Sequence, residues 1–138
     1  MARRKDARSF HLNAEGIERV LGPLETEIMH IFWKNGELPI RDVQDLLLEK
    51  REISFNTVMT IIHRLAEKGL LQKKDRNKSS PYIPTKTKES FLAEISHDVT
   101  SVLIKDFGKF AVSQFVDILY EVDPSLLREL EKRIEKYK

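Results

Sequence analysis

Residues 54–84, SFNTVMTIIHRLAEKGLLQKKDRNKSSPYIP, decide the fold of this 138-residue chain. Ser54 suits a helix N-cap, because its hydroxyl can accept from an early backbone N–H. Val58, Ile61, Ile62 and Leu65 then recur at helical spacing on one side. Asn56, Thr60, His63 and Glu67 fall opposite, with Thr57 and Arg64 on one flank and Met59 on the other. The pattern predicts a helix from Ser54 to about Lys68, stopped by Gly69. Leu70–Lys74 and Pro81–Pro84 read as strands joined by the polar turn 75–80. Proline at both ends of the second strand predicts an edge strand. A helix with small polar side chains outside, followed at once by a lysine-studded hairpin, suits a DNA groove and its phosphates.

Two helices are predicted upstream. Gly22-Pro23 opens the first, since proline has no N–H to waste in a first turn. Leu24, Ile28, Ile31 and Phe32 form its apolar face, and Asn35-Gly36 ends it. Leu38-Pro39-Ile40 reads as a short extended piece. The second helix runs from about Ile40 to Lys50, with Val43, Leu46 and Leu47 inward. Residues 1–20, which include Arg3, Arg4, Lys5 and Arg8, form a basic arm. It reads either as a loose terminus or as an arm that touches phosphate or the minor groove.

Downstream of the hairpin the chain is helical. Phe91, Leu92, Ile95, Val99, Val102 and Leu103 stripe a long helix to about Phe107, and Gly108 breaks it. Val112, Phe115, Val116 and Leu119 stripe the next helix. Asp123-Pro124 caps a last one carrying Leu127, Leu130, Ile134 and Tyr137. Three amphipathic helices this short bury little alone. A second copy sharing the stripes solves that problem, so a homodimer is expected through Phe91, Ile95, Val99, Val102, Phe115, Leu119, Leu127, Leu130 and Ile134. Packing of these helices on their own domain is the alternative.

The fold class that follows is mainly α with a small β-wing. It comprises an arm (1–20), a winged helix-turn-helix domain (21–86) and a C-terminal helical dimerisation region (87–138). Buried aliphatics would hold the third helix with its outer face free for the major groove of double-stranded DNA. The candidate readers are Ser54, Asn56, Thr57, Thr60, His63 and Arg64, whose polar atoms can pair with base edges. Lys73, Lys74, Arg76 and Lys78 on the wing would meet phosphate. Either feature alone reads as a solvated face; their order and register favour DNA. A winged helix that binds protein without reading sequence is the rival function.

Composition narrows the remaining classes. Net charge is only +2. Residues 1–88 carry 17 Lys+Arg against 12 Asp+Glu, and residues 89–138 carry 7 against 10, so the excess of base coincides with the predicted reader. Cysteine is absent, which excludes disulfides, thiol catalysis and Cys-ligated metals. No apolar run is long enough to span a bilayer, and MARRKDAR lacks the apolar stretch of a secretory signal, so a cytoplasmic protein is expected without membrane contact. His11, His30, His63 and His97 are scattered, with no HExxH pair, Gly-rich phosphate loop or Ser-His-acid cluster. An enzyme, a metal and a cofactor are therefore not expected. His30 reads as a packing histidine. His97 is a weak candidate for a sensor pocket between C-terminal helices.

LGPLETEIMHIFW, LPIRDVQDLL, SFNTVMTIIHRLAEKGLL and PYIP together resemble the penicillinase repressor (BlaI/MecI/CopY) family. The most specific piece is Asn56-Thr57-Val58, Thr60, Arg64-Leu65 and Lys68-Gly69. The resemblance covers nearly all the chain after residue 20 and is strongest to Pro84. It implies a winged-helix homodimeric repressor on a palindromic operator. It places Asn56, Thr57, Thr60, His63 and Arg64 on the DNA-facing helix and residues 73–78 on the wing. Two departures stand out. Copper-sensing members carry Cys-x-Cys elements that this chain lacks. Penicillinase-type members are cut at an Asn-Phe bond in the C-terminal helices, whereas the only such neighbours here are Phe55-Asn56, reversed and in the third helix. An inducing protease, or another signal protein, is an implied partner that would have to act elsewhere.

Overall fold

The computed structural model describes residues 16–138; residues 1–15, most of the expected arm, lie outside them. The described chain forms a 3-10 turn (Gly16–Arg19), α1 (Pro23–Asn35), α2 (Ile40–Leu48), α3 (Phe55–Glu67), β1 (Leu71–Lys73), β2 (Tyr82–Pro84), α4 (Lys88–Phe107), α5 (Lys109–Val122) and α6 (Pro124–Glu135). It divides into two compact units, with the boundary inside α4 between Ile95 and Ser96.

The first unit is a winged helix. Its core is Ile28, Met29 and Phe32 of α1, Val43 and Leu47 of α2, and Val58, Ile61, Ile62 and Leu65 of α3. Ile17, Val20 and Leu21 also bury, so the end of the expected arm belongs to this core. Leu46, predicted inward, is 36% exposed. It lies one position before Leu47, and the short α2 buries only a narrow stripe. Met29 was absent from the predicted apolar face of α1 but is fully buried, because that helix is covered over a wider arc.

β1 and β2 pair antiparallel with Lys73 opposite Tyr82. The expectation that β2 is an edge strand is wrong. Tyr82 also exchanges both backbone hydrogen bonds with Leu38, at 2.9 and 3.0 Å. The flanking prolines do not prevent this, because Tyr82 itself supplies the N–H. The extended piece before α2 thus becomes a third, one-bridge strand, and β2 lies in the middle. Ser80 is buried and its hydroxyl accepts from the Asp75 N–H at 2.6 Å, closing the wing turn.

α4 begins in this unit. Phe91 is fully buried, with its ring 5.8 Å from that of Trp33. The Trp33 indole N–H donates to the Lys86 carbonyl at 3.0 Å. Ile95 is buried as well. Both residues were expected at a dimer surface. They instead complete the winged unit, which the helical stripe could not reveal because one apolar face continues across the boundary.

The second unit, 96–138, contains the rest of α4, α5 and α6. Gly108, at φ 53°, separates α4 from α5 in a conformation costly for residues with a Cβ. Asp123 caps α6, its carboxylate accepting from the Ser125 N–H (3.0 Å) and hydroxyl (2.6 Å). These bonds hold the Asp123 carboxyl below its ordinary range. A lowered native value means that the cap is fully effective above the unfolded pKa and is lost as pH falls through the folded one.

Phe91→Ala should destabilise the folded chain by about 3–5 kcal/mol, the usual cost of emptying a buried aromatic site. Urea unfolding followed by Trp33 fluorescence would measure it, since the indole borders the cavity created. An unchanged midpoint would remove Phe91 from the core.

Candidate nucleic-acid interface

The geometry of α3 starts at its cap. The Ser54 hydroxyl accepts from the Thr57 N–H at 3.1 Å, as an N-cap should. Ile61 and Leu65 with Val58 and Ile62 anchor the back of the helix, and all four are buried. Ser54, Asn56, Thr57, Thr60, His63 and Arg64 are all exposed. The six predicted readers therefore share one accessible surface of one clamped helix.

Their hydrogen bonds refine what that surface offers. The Thr57 hydroxyl lies 2.9 Å from that of Ser54, and the Thr60 hydroxyl donates to the Asn56 carbonyl at 2.8 Å. Both threonine hydroxyls are thus engaged by α3 itself. His63 approaches Tyr82 of β2 with ring centroids 6.3 Å apart, so it lies where helix and wing meet. Phe55 was missed as a site residue. It is 37% exposed at the first position of α3, while the other large aliphatics of that helix are buried. Its place immediately after the cap was the signal that could have found it.

The far end of α3 is fixed by charge and by a turn. Glu25 of α1 accepts from the Lys68 ammonium with both oxygens, at 2.9 and 3.0 Å, and from the Gly22 N–H at 3.0 Å. Gly69 follows at φ 82°, the left-handed conformation that ends a helix sharply. The Leu70 carbonyl then accepts from the Thr85 N–H at 3.0 Å, and the Thr85 hydroxyl donates to the Gly69 carbonyl. The wing therefore leaves the helix in a set direction.

The wing cations differ. Arg76 and Lys78 are exposed on the turn, and Lys73 is half-buried on β1. Lys74 is paired with Glu37 at 3.0 Å, and that bond raises the lysine's pKa. Glu37 lies 37 residues away, so sequence spacing gave no sign of this partner.

The other expected features are scattered. His30 is exposed, its ring edge-on to Trp33 at 5.7 Å, rather than packed in a core. His97 is exposed beside Asp98 at 3.4 Å. Among the described residues, no group of three His, Cys, Asp or Glu side chains could hold a metal. No described helix is long and apolar enough to cross a membrane.

Of the residues expected to pair two copies, Val99, Leu119, Leu127 and Leu130 are half-buried, whereas Val102, Phe115 and Ile134 are exposed. Phe107 and Phe110, absent from that expectation, are 58% and 71% exposed on either side of Gly108.

Neutralising Glu37 should free Lys74. Glu37→Gln is expected to tighten binding to any duplex and to steepen the dependence of log K on log salt by about one contact's worth, ~0.9. Titration of labelled DNA over a salt series measures both; identical slopes would show that Lys74 does not reach phosphate.

Comparison with known proteins accords with this architecture. The transcriptional regulator BlaI of Mycobacterium tuberculosis is 30% identical over 79 residues, 56% of this chain and 57% of that protein. The aligned stretch thus spans little more than half the length of that relative. An uncharacterised 16.5 kDa protein of Latilactobacillus sakei is 38% identical over 61 residues, 44% of this chain and 42% of that one. A solved complex structure of hsRosR is 20% identical, with a TM-score of 0.46, over 81% of this chain and 99% of that one. The penicillinase repressor family profile matches residues 21–136, which takes in α1 through α6. This chain belongs to the penicillinase repressor family.

Proposed function

We propose that this chain is a DNA-binding transcriptional repressor that acts as a homodimer on a palindromic operator. One observation carries the DNA part: Asn56, Thr57, Thr60, His63 and Arg64 lie exposed on a helix whose opposite side is fully buried. A helix so clamped can enter the major groove without rolling, and its polar groups meet base edges in a fixed order. Arg76, Lys78 and Lys73 sit beside it to engage phosphate. Family membership favours this over a wing that binds protein, and over an enzyme.

The homodimer is supported by the second unit. From Ser96 to Lys138 no residue is buried, although Val102, Leu103, Ile104, Phe107, Phe115 and Ile118 are large and apolar. Apolar surface on that scale contributes about 25 cal/mol per Å2 once covered. A second copy would cover it and would set two reading helices on successive major grooves, about 34 Å apart or a multiple of that. The operator would then be an inverted repeat. An inducing protease or other signal protein would act by loosening this pairing.

Selection of bound duplexes from a random pool should enrich an inverted repeat. Replacing Lys73, Arg76 and Lys78 together with Gln should weaken enriched and scrambled duplexes alike and flatten the salt slope by about 0.9 per lost phosphate contact. Failure to enrich any sequence, with a slope near zero, would leave the protein-binding function instead.

Phe115→Asp should turn the homodimer into monomers in sedimentation velocity and weaken operator binding at least tenfold. A variant that still sediments as a dimer would take Phe115 out of the interface.

A further inference from the structure

The leading end of α3 combines an exposed aromatic ring with two threonines whose hydroxyls are occupied. Thr60 gives its hydroxyl proton to the Asn56 carbonyl, and Thr57 shares its hydroxyl with Ser54. A threonine that turns its oxygen toward its own helix has chiefly its methyl left to offer outward. Phe55 adds a ring beside them, 37% exposed on an otherwise polar surface. Leaving a ring wet is unfavourable by roughly 25 cal/mol per Å2 of apolar surface, so a surface that later covers it gains affinity.

In the major groove, one base presents an apolar group: thymine, through its 5-methyl. The first residues of a reading helix are those that approach base edges most closely. From this placement we infer that Phe55, Thr57 and Thr60 form a methyl-reading edge that selects thymine at specific operator positions. Phe55 is its specificity-determining residue. The division of labour on α3 is then plain. Its first turn and a half reads thymine methyls by apolar contact, while Asn56, His63 and Arg64 supply the hydrogen bonds to polar base edges. The inference deepens the proposed function and depends on it.

Uracil tests the idea, because it is thymine without the 5-methyl and keeps the same pairing and hydrogen-bonding edge. Duplexes drawn from the enriched site would carry uracil at one thymine at a time. The full-length protein should bind at least one such duplex about four- to tenfold more weakly, the range expected for one buried methyl. Phe55→Ala should weaken the all-thymine site by a similar factor and erase the penalty of uracil at one of those positions. At positions away from Phe55 the uracil penalties should persist in that variant. Unimpaired binding to the all-uracil site, with sequence preference and salt dependence intact, would overturn the methyl edge and leave DNA reading standing. Wild-type protein that prefers no duplex and ignores salt would overturn both together. If Phe55→Ala lost its helical circular dichroism, Phe55→Leu, which keeps an apolar contact of altered shape, would take its place. Its uracil penalty at the Phe55 position should then differ from that of the wild type, and penalties identical at every position would remove Phe55 from the edge.

Discussion

The burial of Val58, Ile61, Ile62 and Leu65 is the constraint on which the rest of this structure depends. Those side chains determine how α3 is rotated about its own axis. Each fully buried aliphatic stabilises the fold by about 1.5–3 kcal/mol, so rolling the helix to another face would forfeit several kcal/mol at once. The outer face is therefore not free to adapt. Its polar and apolar groups wait in a fixed order, which reduces the ordering entropy that a ligand must overcome. The same helix sets the wing, because Lys68 is tied to Glu25 and Gly69 turns the chain directly into β1. Reader and phosphate clamp are thus two consequences of one packing decision.

Much of this was legible in sequence because it is local. The period of Val58, Ile61, Ile62 and Leu65, the cap at Ser54 and the stop at Gly69 all operate within a few residues. What stayed hidden depends on partners distant in the chain. Tyr82 bridges Leu38 as well as Lys73, and no local signal tells a middle strand from an edge strand when both neighbours are that short. Glu37 holds Lys74 across the wing. Phe91 and Ile95 continue a helical stripe that looks uniform, yet they face a core that ends where the stripe does not. The hydroxyl directions of Thr57 and Thr60 are side-chain torsions, which composition cannot set. The site residues were easier to place than to characterise: sequence located the face and left its chemistry open.

The two units differ in self-sufficiency. The winged unit closes a core that includes Phe32, Phe91 and Leu65 at full burial. The second unit closes none, and its helices α5 and α6 hold each other with their larger apolar side chains still exposed. Such a unit gains most of its stability from association, so its order is linked to concentration and to anything that competes for the same surface. The winged unit has no such dependence. In the proposed repressor this asymmetry puts control in the second unit and reading in the first: a signal need not touch α3 to end repression.

The reading face itself is economical in polar groups. Two of its hydroxyls are committed to the helix, and Lys74 is committed to Glu37. Hydrogen-bonding capacity spent within the protein cannot serve DNA without first being broken. That leaves Asn56, His63 and Arg64 as the flexible donors and acceptors, and the unpaired wing cations for phosphate. A face with few free polar groups binds weakly to arbitrary sequence, since it cannot satisfy every base edge it covers. It binds well only where apolar groups in the groove coincide with its own. Discrimination on such a surface comes less from the number of bonds made than from how few duplexes offer methyls in the right places.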